Sequence, residues 1–270
     1  MYIESGARSD VGRVRKNNED NFRAEPSLEL FVLSDGMGGQ ASGEIASEMA
    51  VETVVEHCRA AEESDPPEFF GEPTPGLSDR TNRLASAIRV ANHKIFEAGS
   101  SDPARKGMGA TIVSCWITDR RLSLAHVGDS RAYLLRSGSF EQLTSDHSLV
   151  ADLVRSGILT PQQAEVSEHQ SVLTRALGTQ PKVEVDADEQ MLLAGDVLLL
   201  CSDGLSRLVT NPEIASTLET YPNPQKAADR LIELANENGG EDNVTAIVVR
   251  VKPEPKGFFA GLRRRWRGKS

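Results

Sequence analysis

Four aspartates stand where apolar segments of this 270-residue chain begin or end. Asp35 closes FVLSDG (31–36), Asp203 closes LLLCSDG (198–204), Asp129 lies in LAHVGDS (124–130), and Asp242 opens the last apolar run in GGEDNVTAIVV (239–249). Apolar runs of this length read as buried strands, and a carboxylate at the end of a strand has little freedom to move. Carboxylates converging from several strand ends repel one another unless a cation lies among them. Mg2+ and Mn2+ suit such oxygen donors. Gly36 and Gly204 carry no Cβ, so the backbone beside each aspartate can be approached closely and its carbonyl can join a ligand set. A lone Ser-Asp-Gly is most often a turn; the repetition is what points to a metal. No His-x-x-His or cysteine cluster suggests zinc.

A complementary charge precedes the first of these aspartates. VGRVRKNNED (11–20) carries Arg13, Arg15 and Lys16, followed by Glu19 and Asp20. Alone this is a solvated charge run, but beside an acidic metal site an arginine fork fits a pair of phosphate oxygens. Metal, arginine and carboxylate together suggest phosphoryl transfer. A rival lies in the same loop: Gly36, Gly38 and Ala41 have the G-x-G-x-x-A spacing of dinucleotide sites. Against that rival, Asp35 would repel a pyrophosphate, and no acid closes a second strand about 20 residues on. There is no G-x-S-x-G elbow and no Cys/His pairing for a protein nucleophile.

The elements that must hold these groups alternate in kind along the chain. NFRAE and LELFVLSD read as strands around a Pro26-Ser27 turn. A helix from Gly43 carries Ile45, Met49, Val54 and Cys58, and another over about 79–98 carries Leu84, Ile88, Ala91 and Ile95. Between them SDPPEFFGEPTPG (64–76) is a Pro-rich surface loop within one domain. ATIVSCWIT, RLSLAHVGD, RAYLLRSG and SFEQLT are separated by short turns and predict an antiparallel meander. Residues 145–178 look helical, with a break at Gly157. Strands VEVDADEQML and DVLLLCSD, helices at about 211–220 and 225–237, and the strand NVTAIVVRVK follow. This order predicts an α+β architecture with helices over antiparallel sheets, not a doubly wound nucleotide fold.

Composition narrows the setting. A net charge of −10 argues against nucleic acid as a partner, and the loosely helix-turn-helix-like LVADLVRSGILTPQQA carries Asp152 and Glu165 beside Arg155. Cys58, Cys115 and Cys201 are an odd, widely spaced set that reads as small buried hydrophobes in a reducing compartment. No window approaches a membrane span, and MYIESGARSDVG has no apolar signal core, so a soluble, cytoplasmic protein is expected; a monomer is expected as well. The basic tail GLRRRWRGKS (261–270) reads as a solvated end, with anionic lipid or an acidic partner as the alternative. His126 reads as a core histidine; His147 and His169 are candidates for substrate contact.

Taken together, VRKNNED (14–20), LSDGMGGQASGE (33–44), GMGAT (107–111), HVGDSRAYLL (126–135), LTSDHSLVADLVRSGILTPQQA (143–164), LTRALG (173–178), LLLCSDGL (198–205) and GGEDNVT (239–245) are familiar in this order. The chain resembles the bacterial branch of the metal-dependent serine/threonine protein phosphatases of the type-2C (PPM) family. The resemblance covers about residues 4–251. It implies a four-layer α-β-β-α sandwich, two central antiparallel sheets flanked by helix pairs, in a domain over 1–252 with a basic tail at 253–270.

The same resemblance implies two divalent cations, Mn2+ or Mg2+, between the sheets. Asp35 would bridge them, the Gly36 carbonyl would serve the second, and Asp203 and Asp242 would hold the first. Asp129 would hold a third, weaker ion shared with Asp203, with Ser171 contributing. Glu19 and Asp20 would orient metal-bound water, Arg15 would bind the phosphate, and residues 145–178 would form a flap beside the site. Substrates would be phosphoproteins made by bacterial serine/threonine kinases. Relatives that have lost activity usually lack metal aspartates, and all the expected ones stand here, which weakens the alternative of an inactive binding module. Other branches have histidine after the Asp-Gly; here Met37 leaves the proton donor unassigned.

Overall fold

The computed structural model describes residues 1–38, 42–63, 66–164 and 166–254. Ala41 of the glycine-rich loop, the first two residues of the Pro-rich loop and the basic tail from 255 onward lie outside the described residues. Two sheets face each other. In one, β1 (Tyr2–Asp10), β11 (Val244–Lys252), β10 (Val197–Cys201), β7 (Arg131–Arg136) and β8 (Ser139–Gln142) are neighbours in that order. In the other the order is β2 (Asp20–Glu25), β3 (Leu30–Met37), β5 (Ile112–Thr118), β6 (Arg121–Val127) and β9 (Asp186–Met191), with the short β4 (Gly109–Ala110) on the end of β3. Every pairing is antiparallel.

Side chains alternate across a strand, and here both faces are covered. Leu30 and Val32 of β3 pack under helices α1 (Ser42–Ala60) and α2 (Asp79–Ser101), while Phe31 and Leu33 enter the layer between the sheets. Likewise Leu199 and Cys201 of β10 face helices α6 (Asn211–Thr220) and α7 (Pro224–Glu237), and Leu198 and Leu200 face the other sheet. Three apolar layers therefore separate four structural ones, giving the expected α-β-β-α sandwich. Strands buried on both faces read as unbroken apolar runs, which is why β10 and β11 were plain in the sequence.

Three local expectations are corrected. The four strands over 110–144 do not form one meander: β5 and β6 pair in one sheet, β7 and β8 in the other. The chain changes sheets at Gly128–Ser130, where glycine is required twice over: Gly128 has φ +106°, and a Cβ there would lie 2.6 Å from the Thr111 side chain. Among the described residues, the segment 145–178 expected to be helical holds only the short α3 (Leu149–Arg155) and α4 (Pro161–Ala164). Neither buries a residue, so no apolar face supports a longer helix. Finally, the first strand read from the sequence began at Asn21, yet β1 runs along the whole of β11 from Tyr2. Its sequence shows little apolar pattern because only Gly6 is buried, where α7 passes so close that a Cβ would meet the Gln225 backbone nitrogen at 2.2 Å.

Candidate active site

The two sheets bring five carboxylates together at one end of the sandwich. Asp20 and Asp35 lie directly opposite each other on β2 and β3, an arrangement that is unfavourable for like charges. Asp203 opens the one-turn helix α5 (Asp203–Ser206) directly after β10, Asp242 stands just ahead of β11, and Asp129 sits in the crossing between the sheets. Burial raises the Asp35 carboxyl well above its ordinary value, and Asp20, Asp203, Asp129 and Asp242 raise it further. Burial also raises Asp20, against the hydrogen bonds of the Thr245 and Ser202 hydroxyls (2.6 and 2.8 Å to Oδ2). Those two hydroxyls come from the opposite sheet, so Asp20 also ties the sheets together.

Two of these carboxylates have an unmet need. Asp20 Oδ1 and Asp203 Oδ1 are buried with no hydrogen-bond partner, a state that costs free energy unless something positive supplies the contact. Orphaned carboxylate oxygens amid mutually repelling acids fit Mg2+ or Mn2+. Glycines make the crowding possible. A Cβ on Gly36 would lie 2.1 Å from the Gly43 carbonyl oxygen, and one on Gly43 would lie 2.3 Å from Glu19 Oε2. Gly204, after Asp203, serves close approach too: a Cβ there would lie 2.0 Å from the Asn243 carbonyl oxygen, beside Asp242.

The Asp35 backbone is clamped from outside its own strand. Its N–H donates to Thr111 Oγ1 (3.0 Å), the Thr111 N–H donates to the Asp35 carbonyl (2.8 Å), and Ser34 Oγ donates to the Thr111 carbonyl (2.6 Å). Thr111 Oγ1 also meets Ser130 Oγ at 2.7 Å, which joins the Asp35 and Asp129 loops. Thr111→Val keeps the shape and removes both hydroxyl contacts. It is expected to lower stability by about 1–3 kcal/mol in urea denaturation and to weaken Mn2+ binding; an unchanged midpoint would contradict the clamp.

The N-terminal loop is sewn across the same end. Asn243 accepts from the Glu19 N–H (2.8 Å) and donates to the carbonyls of Val11 and Asn17 (3.0 and 2.9 Å). Gly12, at φ +83°, passes so near that a Cβ would lie 2.3 Å from the Asp242 carbonyl oxygen. These contacts deliver Arg15, half exposed, to Asp242, with Nη2 2.8 Å from Oδ2. Burial raises the Glu19 carboxyl; Arg15 opposes the shift, while Asp242 and Glu44 add to it.

Asp35, Gly36, Asp203, Asp242, Asp129, Asp20, Glu19 and Arg15 are thus gathered into one site. Ser171 is exposed, and it is the preceding Gln170 whose carbonyl reaches the cluster through Arg207 (3.3 Å). Met37 packs against Gly109, where a Cβ would meet its Cε at 2.6 Å, and offers no proton. Sequence reasoning missed Arg207, Asn243 and Thr111. The last two lay inside quoted motifs, but their spacing says nothing of distant partners.

The histidines divide differently from expectation. His147 is buried, which removes it from substrate contact: its Nδ1 accepts from the Gly128 N–H (3.1 Å), leaving Nε2 to donate to Asp186 (3.2 Å). It holds the crossing loop that carries Asp129. His126 stacks on it at 4.8 Å in the core, as expected, and His169 is exposed. The three cysteines are buried and unpaired. Burial pushes the thiols of Cys115 and Cys201 up to about 12, so neither supplies a thiolate nucleophile.

Known proteins resemble this chain over most of its length. Residues 13–242 match the family model described as protein phosphatase 2C. Serine/threonine protein phosphatase PstP of Mycobacterium tuberculosis is 39% identical over 251 residues, which cover 93% of this chain and 45% of that protein. This chain therefore spans about half the length of that relative. The serine/threonine phosphatase stp of Listeria monocytogenes is 37% identical over 255 residues, covering 93% of this chain and 96% of its own length. The crystal structure of the M. tuberculosis PstP phosphatase superposes with a TM-score of 0.82 at 38% identity, covering 94% of this chain and 100% of that one. A second structure, of the PstP catalytic domain in complex with two manganese ions, gives 0.78 at 37% identity, over 93% and 99% of the two chains. The matched stretch runs from the arginine loop to Asp242, across both sheets and the carboxylate cluster between them, and the chain belongs to the protein phosphatase 2C family.

Proposed function

We propose that the chain hydrolyses phosphoserine and phosphothreonine on proteins, using two divalent cations, Mn2+ or Mg2+, held by Asp35, the Gly36 carbonyl, Asp203 and Asp242. The observation that carries this reading is the convergence of five carboxylates with two buried, unpartnered oxygens, Asp20 Oδ1 and Asp203 Oδ1. The manganese ions of the related PstP structure support it. When bound, the cations would supply Lewis-acid charge neutralisation and activate a water for in-line attack on phosphorus.

The chain's own residues prepare that reaction. Asp20, fixed by Ser202 and Thr245, and Glu19, seated against Gly43, orient water at the centre. Arg15 stands at the rim, paired with Asp242 and exposed enough to turn its fork onto a phosphate. Turned in this way, its fork would meet the charge on the equatorial oxygens, the electrostatic contribution on which phosphoryl transfer depends. Met37 cannot protonate the departing serine or threonine oxygen, so that proton comes from water. Segment 145–178 exposes Ile158, Val166 and Val172 and fits a role in meeting residues around the phosphorylated side chain. The buried free cysteines suit a cytoplasmic setting.

The test is a phosphate-release assay on phosphoserine, phosphothreonine and phosphotyrosine peptides with EDTA-stripped protein, titrated with Mn2+ and Mg2+. Expected is metal-dependent release from the first two and far slower release from the third. Turnover without metal, or on phosphotyrosine alone, would overturn the assignment.

A further inference from the structure

Asp129 and Asp203 meet a cation that the protein itself supplies. Asp129 lies in the crossing from β6 to β7, and Asp203 begins α5. Arg207 follows Asp203 by four residues, the spacing that puts two side chains on one side of a helical turn, and its N–H closes that turn on the Asp203 carbonyl (2.9 Å). Arg207 Nη2 lies 2.6 Å from Asp203 Oδ2 and 3.3 Å from Asp129 Oδ2. Among the described residues no other cation forms an ion pair with either carboxylate. Arg131, two residues from Asp129, is engaged by Asp146 at 2.7 Å.

Asp203 divides its two oxygens. Oδ1 is buried and without a hydrogen-bond partner, while Oδ2 is taken by Arg207. A further divalent ion between Asp129 and Asp203 would have to displace the guanidinium or sit against it, and like charges at such distances oppose each other strongly in a partly buried site. The guanidinium needs no free metal, and its planar fork can serve two carboxylates.

We propose that the Arg207 guanidinium is the resident cation of the Asp129–Asp203 pair, so that this chain takes two divalent ions and not the third expected at Asp129, Asp203 and Ser171. The proposal rests on the reading of Asp203 as a ligand of the metal centre. It gives Arg207 a positioning role: it holds Asp203 so that Oδ1 faces the centre, and through the Gln170 carbonyl (3.3 Å) it tethers segment 166–178 to the same point.

The experiment counts Mn2+ bound to the EDTA-stripped full chain, by calorimetry and by loss of the free-Mn2+ paramagnetic resonance signal. Wild type should bind two ions, and Asp129→Asn should leave that count at two. Arg207→Ala should bind three, the third more weakly, and Arg207→Ala/Asp129→Asn should return to two. Arg207→Met, which keeps most of the aliphatic stem, provides the same reading should the alanine variant fail to fold by circular dichroism. A wild-type count of three that Asp129→Asn reduces to two would overturn the proposal, as would a folded Arg207→Ala or Arg207→Met that binds only two. A wild-type count below two would instead overturn the metal centre itself, and this proposal with it.

Discussion

Asp35→Asn is expected to reduce Mn2+-dependent phosphate release by about 10³-fold or more, with the fold intact. Its backbone stays clamped by Thr111, because both of those hydrogen bonds involve main-chain atoms of residue 35. What changes is one charge at the middle of the cluster, where Asp20, Asp203, Asp129 and Asp242 all act on it. The consequence for stability has the opposite sign to that for activity. In metal-free protein, a neutral amide relieves the repulsion of the four other carboxylates, so the variant should unfold at a higher temperature than wild type. On adding Mn2+, wild type should gain stability by mass action and the variant should gain little. A variant that keeps near-wild-type turnover, or a full Mn2+-induced rise in Tm, contradicts the role of Asp35.

Arg15→Ala is expected to lower kcat/KM on phosphopeptides by about 10²–10³-fold, with Mn2+ binding as tight as in wild type or tighter. The reason for the second half is the ion pair: Arg15 Nη2 holds Asp242 Oδ2 at 2.8 Å, and its removal leaves that oxygen free for metal. Loss of a merely structural residue would weaken both activity and metal binding. Arg15→Lys should recover part of the loss, since a point charge remains but the fork that matches two phosphate oxygens does not. An alanine variant with unchanged kcat/KM would remove Arg15 from the phosphate site.

The sequence displayed these groups unevenly. Asp35, Asp203 and Asp242 were legible because each marks the point where a strand buried on both faces meets the surface, and the change from apolar to Ser-Asp-Gly or Glu-Asp-Asn is abrupt. Which sheet each strand joins was not legible. The turn at Gly128–Ser130 looks like any hairpin connection, yet it carries the chain from one sheet to the other and places Asp129 at the centre. The β1 strand was hidden because its one fully buried residue is a glycine against the α7 backbone, and Ile3 and Ala7, which reach the core, are only partly buried. Arg207 was hidden for a related reason. Its partnership with Asp203 depends on a single helical turn that no periodicity reveals, and its second partner, Asp129, is remote in sequence.

The most direct test of the metal centre is an anomalous difference map, collected at the manganese absorption edge, from crystals of the chain grown with Mn2+. The account predicts two peaks, about 3.5–4 Å apart as in two-metal hydrolytic sites. Asp35 should lie between them, Asp203 and Asp242 should touch one, and the Gly36 carbonyl should touch the other. No peak among these carboxylates, or manganese bound only at another place in the fold, would contradict it.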